Sequence, residues 1–148
     1  MKVILSVLSL TAVALAQRVK IVSPAINTVL SPGDSFVVDV DKADSLSPSY
    51  DVSVAIGMES CGMEPAGCAP ITTAQILGNV LFSGDFSPQL RPNGSDVFQN
   101  YTVQVPPSMP AGPAVLSLAH FYLLGAGATP TVDMTNVTLM IQNTTGEA

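Results

Sequence analysis

His120 is the only histidine of the chain, and Cys61 and Cys68 are its only cysteines. Any chemistry that depends on imidazole or thiolate must therefore run through three side chains. Nucleophilic hydrolysis needs a base within hydrogen-bond reach of the nucleophile. His120 lies in Leu116-Ser117-Leu118-Ala119-His120-Phe121-Tyr122, where it shares parity with Leu116, Leu118 and Tyr122. On a strand those four side chains face one way, so the imidazole reads as a structural group with a satisfied hydrogen bond rather than as a base. No G-x-S-x-G elbow occurs.

Zinc or copper would require several His or Cys ligands, which this inventory does not supply. A copper site built on an N-terminal histidine is excluded as well, because the expected mature terminus is Gln17-Arg18. Asp39, Asp41 and Asp44 form a local acidic cluster, but the glycine-containing loop pattern of an EF-hand is missing, and a solvated strand edge is the expected reading. Asp51, Asp85 and Asp96 are carboxylates of the kind that hydrolyse glycosides, a chemistry that also needs a sugar-binding cleft. With no tryptophan and 5% aromatic residues, a stacking platform for sugars is poorly supplied. Gly125-Ala126-Gly127-Ala128 looks like half a phosphate loop, yet Pro130 follows and no helix does, so a turn is expected. The expectation is a non-enzymatic protein with no catalytic, cofactor-binding or metal-ligating residue.

Residues 1–16 read as a cleavable signal peptide. Lys2 precedes an apolar run from Val3 to Leu15, and Ala14-Leu15-Ala16 ends it in an A-x-A site. The run is shorter than the roughly 20 residues of a membrane span, and the polar ending Gln142 to Ala148 lacks the tail of a lipid-anchor signal. Secretion without a membrane anchor is therefore expected, with residues 17–148 forming a single domain. In an oxidising compartment Cys61 and Cys68 should pair in one disulfide. Four sequons, at Asn93, Asn100, Asn136 and Asn143, offer glycosylation sites. The whole chain carries a formal charge of −6, and removal of Lys2 leaves Arg18, Lys20, Lys42 and Arg91 against eleven acids. Such a surface repels nucleic acid and anionic lipid.

The elements that must position these groups are strands. Phe36, Val38 and Val40 alternate with Val37, Asp39 and Asp41 after the turn signal Ser31-Pro32-Gly33-Asp34, and Tyr50, Val52, Val54 and Ile56 repeat the alternation. Further strands are expected near Val19–Val22, Gln75–Phe82, Phe98–Val105, Ala114–Leu124 and Asp133–Gln142. The stretch from Gly57 to Pro70 holds both cysteines and reads as a stapled loop. About seven short strands with turns at these spacings predict an all-β, antiparallel, immunoglobulin-like β-sandwich, with a closed barrel as the alternative. The sequons agree with this register. Asn100 is out of phase with Tyr101, Val103 and Val105, and Asn136 with Val137, Leu139 and Ile141, so both should face water.

Several stretches carry a family resemblance: Ser31-Pro32-Gly33-Asp34-Ser35-Phe36, the segment Tyr50 to Gly57, the segment Gln99 to Pro106, and the segment Gly112 to Ala126. They resemble the necrosis-inducing secreted protein family of fungal effectors. The resemblance implies a non-enzymatic effector, secreted during plant colonisation, that enters host tissue or host cells. Its implied partner is a host protein, and its implied action is suppression of pattern-triggered immunity through plant receptor-associated kinases. No binding residue is carried over, and the loop from Met58 to Pro70 departs from the family pattern. Two other functions compete. A cell-wall or glycan-associated β-sandwich module conflicts with the low aromatic content, and a small hydrolase conflicts with the lack of a base.

Overall fold

A computed structural model describes residues 19–43, 48–62 and 67–143. The expected signal peptide, Arg18 and Asp44 lie outside these residues. Nine strands and one short helix follow in order. They are β1 (Val19–Ser23), β2 (Val29–Leu30), β3 (Ser35–Lys42), β4 (Ser49–Ser60), α1 (Ala69–Ala74), β5 (Asn79–Asp85), β6 (Gln89–Leu90), β7 (Val97–Gln104), β8 (Gly112–Leu124) and β9 (Thr129–Ile141). The first sheet has the order β1-β3-β7-β6 and the second β2-β9-β8-β4-β5. The seven expected strands are all present, and β2 and β6 add two-residue pieces. Every pairing is antiparallel except that of β2 with β9, which is parallel.

The core follows from alternation. Val38 and Val40 of β3 and Tyr101 and Val103 of β7 are buried from the first sheet. Val54, Ile56, Met58, Leu116, Leu118, Leu139 and Ile141 meet them from the second. Truncating a fully buried leucine such as Leu118 would cost about 2–5 kcal/mol through lost transfer energy and the cavity left behind. At Ser31–Asp34 the expected turn forms. The Asp34 amide donates to the Ser31 carbonyl, Asp34 Oδ2 accepts from the Ser31 amide at 2.7 Å, and Gly33 takes φ 89°. The turn expected at Gly125–Ala128 joins β8 to β9.

Three local expectations are corrected. First, β4 does not stop at Gly57 but pairs with β8 as far as Ser60. Glycine is required there because a Cβ would collide with the Leu77 carbonyl oxygen, so the residue marks a close backbone approach rather than a strand end. Second, the segment expected to be loop as far as Pro70 ends instead in α1, which begins at Ala69, continues to Ala74 and has Pro70 in its first turn, where the missing N–H costs nothing. Gln75 closes that helix in the left-handed region at φ 54°, so β5 begins at Asn79 and not at Gln75. Third, Tyr50 does not share a face with Val54 and Ile56. The register of β4 against β8 shifts between Asp51 and Ser53. This bulge leaves Tyr50 70% exposed and turns Asp51 inward.

Candidate functional site

The inward turn of Asp51 creates the most developed polar cluster of the interior. Lys42 ends β3 in the first sheet, and its Nζ donates to both Asp51 carboxylate oxygens, at 2.7 and 2.8 Å, and to Ser49 Oγ at 3.1 Å. His120 Nε2 lies 3.0 Å from Asp51 Oδ1. The Lys42 and Asp51 side chains are 8% and 16% exposed, and that of His120 is fully buried. Tyr122 stacks on the imidazole at 4.8 Å, Phe86 meets it edge-on at 5.1 Å, and Tyr122 Oη donates to Asp133 at 2.9 Å. Burial pushes the Asp51 carboxyl up, but the hydrogen bonds to His120 and Lys42 and their charges outweigh it and hold the group below the ordinary carboxylate value.

This network joins the two sheets, because Lys42 belongs to one and Asp51 and His120 to the other. The Lys42 ammonium has three donors, and all three are taken by Asp51 and Ser49. Ser49 Oγ accepts from that ammonium at the edge of the cluster. His120 is held against Asp51 inside the core, and among the described residues its Nδ1 has no hydrogen-bond partner.

A second cluster lies on the outward side of the first sheet. Arg91 Nη2 bonds Asp39 at 2.8 Å and Asp41 at 3.2 Å, Lys20 Nζ reaches Asp41 at 2.9 Å and Asp96 at 3.8 Å, and the Arg91 guanidinium sits 4.2 Å above the Phe98 ring. The expectation of a solvated acidic edge is thereby corrected. β3 runs between β1 and β7, so Asp39 and Asp41 stand mid-sheet beneath cations from both sides, and Asp41 is buried. Burial raises the Asp41 carboxyl, yet hydrogen bonds from Lys20 and Arg91 prevail and hold it below its ordinary value.

The other sequence candidates do not converge. Asp51 is inside, Asp85 is exposed on β5 with its backbone carbonyl accepting from Tyr101 Oη, and Asp96 precedes β7 beside Lys20. Among the described residues no group of three or more His, Cys, Asp or Glu side chains is placed to hold a metal ion, and no helix is long and apolar enough to cross a membrane. Cys61 and Cys68 form the expected disulfide, with Cα atoms 4.9 Å apart. Asn100 and Asn136 are exposed as their parity required, Asn93 is exposed in the turn before β7, and Asn143 is exposed while Thr144 and Thr145 lie outside the described residues.

Sequence reasoning missed the Lys42–Asp51–His120 network because its one enabling feature, the bulge, leaves the apolar alternation of β4 apparently unbroken. It missed the partners of Asp39 and Asp41 because they depend on strand order. A family model described as the Nis1 family matches residues 14–140 of the chain. No curated protein matches it.

Proposed function

Since the chain belongs to the Nis1 family, we propose that it is a secreted, non-enzymatic effector that suppresses plant immunity by binding host receptor-associated kinases. The observation that carries this reading is the family match itself, which spans residues 14–140 and with them both sheets except the last residue of β9. The resemblance of the strands β3, β4, β7 and β8 to necrosis-inducing secreted proteins of fungi supplies the finer content: fungal secretion, a plant host and kinase partners. A binding role is further supported by the fate of the only histidine, which is sealed in the core against Asp51. The A-x-A site ending at Ala16 supports release from the producing cell.

Calorimetric titration of the secreted chain into purified kinase domains of plant receptor-associated kinases tests the proposal. Saturable binding at micromolar or lower concentration, about −8 kcal/mol or better, is expected. Absence of binding to every such domain, with the chain folded, would remove kinases as the partner.

A further inference from the structure

Of the four sequon asparagines, Asn100 alone follows an aromatic residue by two positions. The residue at that spacing is Arg91 for Asn93, Phe98 for Asn100, Met134 for Asn136 and Ile141 for Asn143. Residues two apart on a strand share a face, and both Phe98 and Asn100 belong to β7. Tyr101 and Val103 of the opposite parity are buried, whereas Asn100 is exposed. Phe98 and Asn100 therefore stand side by side on the outward face of the first sheet.

A groove opens between them and the neighbouring edge. The ladder of β6 with β7 pairs Gln89 with Phe98 and Leu90 with Val97, and it stops before Asn100. At that end lies a cavity of about 170 Å³ lined by Ser87, Gln89, Phe98, Gln99 and Asn100. The Ser87 amide donates to Gln99 Oε1 at 2.8 Å, which ties the connection between β5 and β6 to β7. Arg91 packs on the Phe98 ring at 4.2 Å, reaches on to Asp39 and Asp41, and takes no part in lining the groove. One aromatic ring beside two amides and a hydroxyl suits a pyranose, whose faces present C–H groups and whose rim presents hydroxyls. Attachment decides the occupant, because a glycan on Asn100 is bonded to a residue of the groove wall. A single ring is a poor trap for free sugar, but a short tether holds its ligand at an effective concentration on the order of millimolar.

We propose that this groove is a built-in carbohydrate subsite, in which the N-acetylglucosamine attached to Asn100 packs on Phe98 between β7 and the β5–β6 connection and becomes part of the fold. The proposal rests on secretion of the chain and not on its binding partner. It gives the glycan a structural task. β6 is the two-residue edge of the first sheet, and a sugar seated beside it covers an edge that would otherwise offer unpaired backbone to another chain. Asn136 is the internal contrast, since Met134 and Ser117 are its neighbours in the sheet and neither offers a ring.

The test uses a chain in which Asn93→Gln, Asn136→Gln and Asn143→Gln leave Asn100 as the one sequon. Three forms of this sequence are compared: secreted from a eukaryotic host with its full glycan, trimmed by an endoglycosidase to one N-acetylglucosamine, and produced without glycan in a bacterial periplasm. The one-sugar form should melt with the full-glycan form and roughly 3–5 °C above the sugar-free form. Phe98→Leu keeps apolar bulk but removes the ring, so it should close that gap, while Phe98→Tyr should keep it. Comparing the two sugar states within each variant removes any effect of the substitution on the Arg91 contact. In nuclear magnetic resonance spectra the sugar protons of the one-sugar form should be shifted upfield by the ring, and the shift should vanish in Phe98→Leu. An unoccupied Asn100 in the secreted chain, equal melting of the one-sugar and sugar-free forms, or a gap that survives Phe98→Leu would each overturn the proposal. Kinase binding by the sugar-free form would leave the effector reading intact whatever the outcome at the groove.

Discussion

His120 Nε2 and Asp51 Oδ1 lie 3.0 Å apart although 69 positions separate the residues in the chain, and the contact exists because a bulge in β4 rotates Asp51 from the outer face to the inner one. The same rotation delivers Asp51 to Lys42, which arrives from the other sheet. A buried carboxylate is costly by itself and is tolerated when charge and hydrogen bonds surround it. The three residues therefore act as a unit that fixes how the sheets face one another at this end of the sandwich.

Removing the carboxylate should be the most damaging single change at that unit. Asp51→Ala would leave the Lys42 ammonium buried without its counter-charge, at a cost of about 3–5 kcal/mol. Denaturant unfolding checks this through the shift in midpoint at constant slope. A loss below about 1 kcal/mol would mean that the pair contributes little.

Stability should fall in acid. The folded-state values of Asp51 and Asp41 are both depressed by their cationic partners after burial has raised them. Groups with depressed folded pKa values contribute stability that is present above the unfolded carboxylate value of about 3.9 and lost as pH falls through the folded values. The melting temperature should accordingly drop below about pH 4, and the double variant Asp41→Asn, Asp51→Asn should show a shallower drop from a lower plateau. An unchanged acid limb in that variant would contradict the assignment.

The disulfide staples the connection between β4 and α1, both flanked by ordered structure. Reduction should lower stability by roughly 2–3 kcal/mol on the loop-entropy account while preserving the far-ultraviolet signature of the sheets. Collapse of the sheet signal on reduction would show that the core depends on the bond.

Glycopeptide mapping of protein secreted from a eukaryotic host should find Asn100 and Asn136 occupied. Both are exposed on strands whose neighbouring positions carry core residues. Both sites empty would count against their use despite exposure.

Much of this architecture was legible because alternation is a local signal. Val38 and Val40, Tyr101 and Val103, and Leu116, Leu118 and His120 announce their buried faces within a few residues. The rest was hidden for physical reasons. Tyr50 is apolar enough to mimic a core position, so the bulge after Asp51 left no gap in the pattern. The helix Ala69–Ala74 buries no residue and is too short for a 3.6-residue period to appear. The pairing of Arg91 with Asp39, 52 positions away, depends on β6 and β7 folding beside β3, which no local rule reveals.

The central claim is that the chain acts by binding and not by catalysis, and the direct measurement is immune suppression by folded His120→Gln protein in plant tissue. Glutamine can still donate a hydrogen bond to Asp51 but cannot exchange a proton near neutral pH. The claim predicts suppression of the oxidative burst within about twofold of wild type at equal concentration, with any loss tracking the melting temperature. A general base contributes typically 10²–10⁴-fold to a rate. Loss of suppression on that scale, in a variant of unchanged stability and fold, would contradict it.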